Sequence, residues 1–535
     1  MNLNVIYEST NQRIFLDEVS RHPLKASFAR RSCLASVLGI VAVVVASGAS
    51  SAQSAPSGAG SWPYPNGDIA NTRVAAGSTI SLANVSSLKQ RWSFRLTGNA
   101  AKNVGGYGTL AANPIVVNGV VYVQDLHSNV YALSLATGKL LWEYVVNKPE
   151  KSGPGPNGVA VANGAVFAAS PTAVFALSAS TGKRLWQNKS ILSMGQGTFG
   201  IQPVVANGRV YLASQYGSGA GGGVLIALRA SNGALLWKFN TVAHADVSVT
   251  SVGVGAGGAW ETPLVGVDGS VTFGIGNPYQ TAAGAIAQPS KLLYTDSDVN
   301  LNAATGKLNW YYQGVPNDFK DYDMQASPIS GNVHGTPVVI GGGKMGYVYE
   351  MNATTGALLW KTPVGIHNGH DNDSLKALEH KLTLKAPYTI LPGSFGGILT
   401  NMALDDGTIY VTTIDLSLTA DSLNDVTGTK AGKLSGEVEA LNLTTGAVEW
   451  DTKVKGFLAG AATVSNNLVV TTLFEGTLEA FNRANGALVA SIKLPNTTNS
   501  SLAIAGNTII VLAGGPKAAG KVGTSQIVAY SVPSA

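Results

Sequence analysis

The 535-residue chain is 45% hydrophobic and 12% charged, which excludes a disordered or collagen-like polymer. Its formal net charge is +5, and five basic and three acidic residues fall in the first 52, leaving +3 thinly scattered over the rest, too little for a nucleic-acid surface. With 64 glycines among apolar runs rich in Val, Ala and Leu, the composition predicts many short strands joined by tight turns.

Residues 1–52 read as a targeting segment. Arg30 and Arg31 precede an apolar run from Leu34 to Val45, and Ser50 and Ala52 satisfy a small-residue cleavage rule. The run is too short to span a bilayer comfortably. The expectation is an exported chain, periplasmic or extracellular, without a stable membrane span after processing. Cys33, the only cysteine, lies in this segment. The mature chain would then carry no disulfide, thiolate metal site or catalytic thiol, and no Cys-x-x-Cys-His for a haem of its own. An N-terminal extension (53–86) and a main domain (87–535) follow.

Seven segments of the main domain repeat one pattern: VYALSLATGKLLW (130–142), VFALSASTGKRLW (174–186), LIALRASNGALLW (225–237), VNLNAATGKLNW (299–310), YEMNATTGALLW (349–360), VEALNLTTGAVEW (438–450) and LEAFNRANGALVA (478–490). Each is an apolar strand, a Thr-Gly or Asn-Gly turn, and a second strand ending in Trp, except that the seventh has Ala490 in that place. The glycine permits the positive φ of a tight turn, and Trp brings a large apolar plate with an N–H edge. The turn glycines, Gly138, Gly182, Gly233, Gly306, Gly356, Gly446 and Gly486, are 44, 51, 73, 50, 90 and 40 residues apart. Units of that length with several strands predict propeller blades, and the two long intervals predict insertions on a loop face. QIVAYSV (526–532) is a strand without a following turn, and LKQRWSFRL (88–96) is a Trp strand without a partner before it. Pairing them would close the ring and remove its edges. The predicted fold is all-β: an eight-bladed propeller of four-stranded antiparallel blades, closed by N- and C-terminal strands.

One short stretch departs from the low charge of the rest. GVPNDFKDYDMQASP (314–328) places Asp318, Lys320, Asp321 and Asp323 within six positions, between the two insertions. Such a cluster is either a solvated loop or a carboxylate held near something reactive.

The repeat, with the opening WPYPNGDIANTRVAAGSTISLANVSSLKQRW (62–92), resembles the quinoprotein alcohol dehydrogenases, propellers that hold pyrroloquinoline quinone and calcium on their axis. The resemblance runs from Trp62 to the C-terminus, and further motifs carry it. In GGAWETPLV (257–265), Trp260 resembles the Trp that lies flat against the quinone. In GIGNPYQ (274–280), Asn277 resembles the amide ligand of the metal; without that context the stretch reads as a turn. WYYQGVPNDFKDYD (310–323) follows the frame of the catalytic loop, with Asn317 in place of a His. Asp321 falls on the catalytic base and a metal-ligand position, and Asp318 and Asp323 read as structural or solvated. In GGGKMGYVYEMNATTG (341–356), Lys344 resembles the basic residue that contacts the quinone oxygens and assists catalysis there.

Other family features are missing. The acidic metal ligand should fall within YGSGAGGGV (216–224), where Ser218 is the nearest counterpart, and the arginine that anchors the cofactor is replaced by Asn157. The family's late Trp is replaced within GFLAGAATV (456–464). His367, His370, Asp371 and Asp373 lie in an inserted loop that reads either as a solvated polar insertion or as a transition-metal site. The resemblance therefore implies an exported dehydrogenase oxidising a small alcohol or polyol with pyrroloquinoline quinone and calcium, passing electrons to a separate cytochrome or other acceptor. The alternative is a non-catalytic propeller acting as a binding or assembly scaffold.

Overall fold

The computed structural model describes residues 60–104, 107–146, 158–191, 199–215, 222–243, 256–425, 428, 430–516 and 523–533. The targeting segment, Ser218 and Asn157 lie outside them. Among the described residues, eight four-stranded antiparallel sheets and one three-stranded sheet are formed. The four-stranded sheets are the blades of an eight-bladed propeller. Taken from the axis outward, blade 4 is Leu264–Val265, Ser270–Gly274, Ser297–Asn302 and Leu308–Gln313, and blade 5 is Ile329–Val333, Thr336–Gly343, Tyr347–Asn352 and Leu358–Pro363. The second and third strands of the blades are almost wholly buried, and the outer strands alternate between exposed and half-buried residues. Blade 8 closes as expected: Lys89–Arg95 pairs antiparallel with Gln526–Ser531, with Lys89 opposite Ser531 and Arg95 opposite Gln526. Among the described residues no helix is long and apolar enough to cross a membrane.

The repeat motif joins neighbouring blades. The Trp at the outer edge of one blade lies on the turn glycine of the next: Trp310 on Gly356, for example, where an added Cβ would come 2.7 Å from the indole. Its Nε1–H then donates to a carbonyl of that next blade, Trp310 to Ala353 O at 2.8 Å. The same pair of contacts links Trp92 to blade 1, Trp142 to blade 2, Trp186 to blade 3, Trp237 to blade 4, Trp360 to blade 6 and Trp450 to blade 7. The remaining junction, from blade 7 to blade 8, is the one where Ala490 replaces Trp. Blade 8 has no turn there for an indole to cover, because its two outer strands come from opposite ends of the chain.

The segment from Trp62 to Ala75 runs along the inner strands. It exchanges backbone hydrogen bonds with Val116 of blade 1, Ser330 of blade 5, Leu404 of blade 6 and Val464 of blade 7. Arg73, fully buried, donates to Ala462 O and Leu502 O at 2.9 Å and to Thr463 Oγ1 at 2.8 Å, tying blades 7 and 8 to Asn66 of its own segment. The segment thus ties the inner strands of blades 1, 5, 6, 7 and 8 together.

The insertions gather on one face. A short helix Ala282–Ala287, capped by the Thr281 hydroxyl, packs against a second helix, Asp373–Leu378, and against the three-stranded sheet of Tyr388–Ile390, Leu418–Ala420 and Lys430–Ala431. Phe319, from the charge-rich loop, is buried in the middle of this cluster.

The turn glycine is the most sensitive point of a blade junction, since Gly356 sits at φ +70° beneath the indole. Gly356→Val is expected to cost at least about 2 kcal/mol, from left-handed backbone strain and displacement of the ring. Denaturant unfolding measures this, and a change within about 0.5 kcal/mol, the range of an ordinary surface substitution, would contradict it.

Candidate active site

Asn277, Asp321 and Lys344 come together from three loops on the insertion-bearing face, at the seam between blades 4 and 5. Asn277 follows the second strand of blade 4. Asp321 lies in the connection from blade 4 to blade 5, and Lys344 is in the turn directly after the second strand of blade 5. The Asn277 amide Nδ2 donates to Asp321 Oδ1 at 2.5 Å and to Asp323 Oδ1 at 2.8 Å, and the Asn277 backbone N–H donates to Asp323 Oδ1 at 2.9 Å. Lys344 Nζ lies 2.6 Å from Asp323 Oδ2 and 3.4 Å from Asp321 Oδ2. The Lys344 backbone N–H also donates to Asp323 O at 3.0 Å.

Asp323 is therefore central, and its reading as structural or solvated needs correction on the second count. It is 0% exposed, and Asp318 is 1% exposed. Two glycines let it pack so tightly: a Cβ on Gly276 would come 2.5 Å from Asp323 Oδ1, and one on Gly343 would come 1.9 Å from Asp323 O. The loop is also strained, with Asn317 at φ 59° and Asp321 at φ 60°, a conformation that non-glycine residues hold only where packing imposes it. Asn317 supplies part of that packing: its Oδ1 accepts from Gln280 Nε2 at 3.1 Å and its Nδ2 donates to Ala285 O at 3.2 Å.

Trp260 is half-buried at the start of blade 4. Its segment is zipped to the Asn277 loop by Gly257 N–H to Asn277 O at 3.0 Å and Gly276 N–H to Gly258 O at 2.6 Å. The next residue, Glu261, turns to the axis, where Asn401 Nδ2 donates to its Oε2 at 3.2 Å and to Asn66 Oδ1 at 3.0 Å. Burial raises the Glu261 carboxyl to about 7, opposed by the amide of Asn401 and the charge of Arg73. Sequence reasoning missed Arg73, Glu261 and Asn401. A signal existed in their placement, Arg73 within the family-like opening and Glu261 directly after Trp260. In the late stretch 456–464, Phe457 pairs with Phe474, ring centroids 5.2 Å apart.

The inserted loop with two histidines is a polar insertion with Ile366, Asn368, Gly369, Asn372 and Lys376 exposed, as the solvated alternative expects. His367 Nδ1 pairs with Asp371 at 2.7 Å and His370 Nδ1 with Asp373 at 2.6 Å, so each imidazole has its own carboxylate. Among the described residues no three His, Cys, Asp or Glu side chains converge to hold a metal ion. The loop instead braces the site: the buried Lys320 ammonium donates to His370 O and lies 5.1 Å from the Tyr322 ring centroid.

Carboxyl groups outnumber cations here. Asp296, Asp318, Asp321 and Asp323 are all buried in this region, and Lys344 is the cation that reaches Asp321 and Asp323. Burial pushes Asp321 up to about 8, against the pull of Lys344 and helped by Asp323 and Asp318. Burial opposes the charge of Lys344, but Asp321 and Asp323 outweigh it and raise its pKa. A hard cation beside Asp321 and Asp323 would relieve this crowding, and carboxylate and amide oxygens are the donors such ions take. Rotating the Asn277 amide by half a turn would offer its Oδ1 in place of Nδ2. The donor set thus fits a cation with two carboxylates and one amide, further ligands coming from elsewhere.

Raised carboxyl pKa values fix a sign for stability. Asp321 and Asp298 are raised to about 8 and Asp318 to about 6, in each case by burial first. The folded chain then binds more protons than the unfolded chain between about pH 4 and pH 8, and stability falls as pH rises through that window. Without added cation the thermal midpoint should therefore drop from about pH 5 to about pH 8, less so in Asp321→Asn. A midpoint that rises or stays level across that range would contradict this electrostatic reading.

The model of the glucose/ethanol/alcohol dehydrogenase β-propeller domain matches residues 62–364, which include Trp260, Asn277, Asp321, Asp323 and Lys344. The model of the outer membrane protein assembly factor BamB matches residues 434–532, which include none of them. The chain is 25% identical over 470 residues to the quinoprotein alcohol dehydrogenase PedH of Pseudomonas putida, covering 76% of this chain and 77% of that one. It is 28% identical over 394 residues to the dehydrogenase subunit of the quinone alcohol dehydrogenase of Gluconobacter oxydans, covering 63% of this chain and 50% of that one. Among solved structures, the quinohemoprotein alcohol dehydrogenase of Comamonas testosteroni superposes with a TM-score of 0.73 at 21% identity, covering 89% of this chain and 82% of that one. A europium-containing methanol dehydrogenase superposes with a TM-score of 0.72 at 19% identity, covering 88% and 98%. With the family model spanning more than half of the chain, the protein belongs to the β-propeller family of the glucose, ethanol and alcohol dehydrogenases.

Proposed function

We propose that the protein is an exported quinoprotein dehydrogenase that oxidises a small alcohol or polyol and passes the electrons to a separate cytochrome or other acceptor. The observation that carries this reading is the joining of Asp321, Asp323, Asn277 and Lys344 into one buried cluster from three loops. A scaffold has no need to hold two carboxylates in a strained, desolvated loop, at a cost of order 1–3 kcal/mol for each left-handed residue.

Asn277, Asp321 and Asp323 would hold the cation. Calcium is the ion the resemblance implies, and two adjoining carboxylates also suit an ion of higher charge. Asp323 stands in for the acidic ligand that the sequence lacks near Ser218. Trp260 and Lys344 would contact the cofactor. Pyrroloquinoline quinone, when bound, supplies the two-electron acceptor.

The chain's own groups do the rest. Asp321 is the general base, taking the hydroxyl proton of the alcohol on a carboxylate oxygen. For that it must be ionised, and both Lys344 and a neighbouring cation favour its ionised form against burial. Lys344, kept protonated by Asp321 and Asp323, presents fixed positive charge where negative charge develops. Asn277 and the left-handed backbone at Asp321 orient the carboxylate, and the helices and small sheet above the loop restrict water.

Asp321→Asn should keep the fold and, at saturating cofactor and cation, reduce turnover about a thousandfold, within the usual range for loss of a general base. Steady-state oxidation of short alcohols with an artificial electron acceptor measures this. Unchanged turnover in Asp321→Asn would remove Asp321 from the mechanism.

A further inference from the structure

The seam between blades 4 and 5 contains buried carboxyl groups that the proposed chemistry does not use. Asp296 is 0% exposed and Asp298 is 1% exposed, and none of their four carboxyl oxygens has a hydrogen-bond partner within the protein. Groups of this kind are rare, and an internal water is their usual partner. Asp296, directly before the third strand of blade 4, is close enough to feel the charges of Asp318, Asp323, Asp321 and Lys344. Asp298 is two residues further along the same chain, opposite Tyr312 on the outer strand.

The second strand of blade 5 is built to admit these groups. A Cβ on Gly341 would fall 1.9 Å from Asp298 Oδ2, just as one on Gly343 would fall 1.9 Å from Asp323 O. Gly341 and Gly343 are alternate residues of one strand and so face the same side of the seam. Tyr349 pairs with Gly341. Its hydroxyl lies 3.3 Å from the Cβ position of Gly314, whose N–H donates to Asp296 O at 2.9 Å. The Tyr349 and Tyr312 rings are 5.2 Å apart between centroids, and Tyr312 is half-exposed. Asp296 is thus within electrostatic reach of Asp321 and Asp323, and Asp298 lies opposite the half-exposed Tyr312, whose ring packs with Tyr349 against the cluster that holds Met324.

We propose that this seam is a hydrated proton conduit, with Asp296 and Asp298 as relay residues that carry the alcohol's hydroxyl proton from Asp321 to solvent. The inference rests on the dehydrogenase reading above. At the end of each oxidation Asp321 is left holding the hydroxyl proton of the alcohol. That proton passes through water to an oxygen of Asp296 as Asp296 releases its own proton outward. Asp298 repeats the exchange, and one proton leaves at Tyr312 for each one taken up. Asp321 is returned to its ionised form with no change in the relay groups. Burial keeps Asp298 protonated up to about 8, so it has a proton to hand on at neutral pH.

The test compares the wild type with Asp298→Asn, loaded with pyrroloquinoline quinone and calcium and supplied with ethanol and an artificial acceptor, in H2O and D2O. The expected result is a turnover about tenfold lower in the variant, KM unchanged, and a larger solvent isotope effect as proton release becomes limiting. Equal turnover and an equal isotope effect would overturn the conduit while leaving the dehydrogenase reading intact. No ethanol-dependent turnover in the wild type would overturn both. An infrared measurement needs no turnover: the protonated-carboxyl band missing from Asp298→Asn should shift promptly when the wild type enters D2O. A band that stays unshifted for hours would overturn the conduit by itself. Should Asp298→Asn fail to fold, Asp296→Asn serves for both comparisons.

Discussion

The indole of an outer strand resting on the turn glycine of the next blade is the contact on which the rest of the molecule depends. It combines a large apolar plate, an N–H that must find an acceptor, and a residue without Cβ that lets the plate come close. Seven such junctions set neighbouring blades in fixed relation, and the eighth is spared where the chain ends meet. Because the blades are fixed, loops that leave them at one face meet at positions the blades determine. The Asn277, Asp321 and Lys344 loops are each anchored in a strand of blade 4 or 5, and their convergence follows from that anchoring.

Burial at that face answers why a charge-poor chain concentrates charge in one loop. Asp318, Lys320, Asp321 and Asp323 are all buried, each held for a different purpose. Asp318 caps the loop's own backbone, accepting from Lys320 N–H and Tyr322 N–H at 3.1 and 2.9 Å. Lys320 fastens the loop to the insertion above it. Asp321 and Asp323 share Asn277 and Lys344. Such an arrangement is expensive in desolvation, and the site holds more carboxyl groups than cations. This imbalance links the electrostatics to the chemistry, because it favours a bound cation and a proton path alike.

The repeat and the ring closure were legible in the sequence because each rests on local rules: a turn glycine, a terminal Trp, two strands that each lack a partner. The two long intervals between turn glycines likewise marked the insertions correctly. Asp323 was not legible as a site residue. Its role depends on Asn277 and Lys344, which approach from separate blades, and on glycines that allow a contact closer than any side chain would. Arg73 and Asn401 escaped for the same reason: Arg73 reaches Leu502, 429 positions away, across the axis. The paired histidines left two alternatives open in the sequence, and the fold supplies a carboxylate to each in a largely exposed insertion.

The central claim is that Asp321, Asp323 and Asn277 hold a hard cation beside a bound quinone. Its most direct test is a calorimetric titration of the purified protein with pyrroloquinoline quinone, with and without calcium or europium, in the wild type and in Asp323→Asn. Saturable, cation-dependent binding that is lost in Asp323→Asn is the expected result. An absence of binding under every condition, or binding indifferent to both the cation and Asp323, would contradict it.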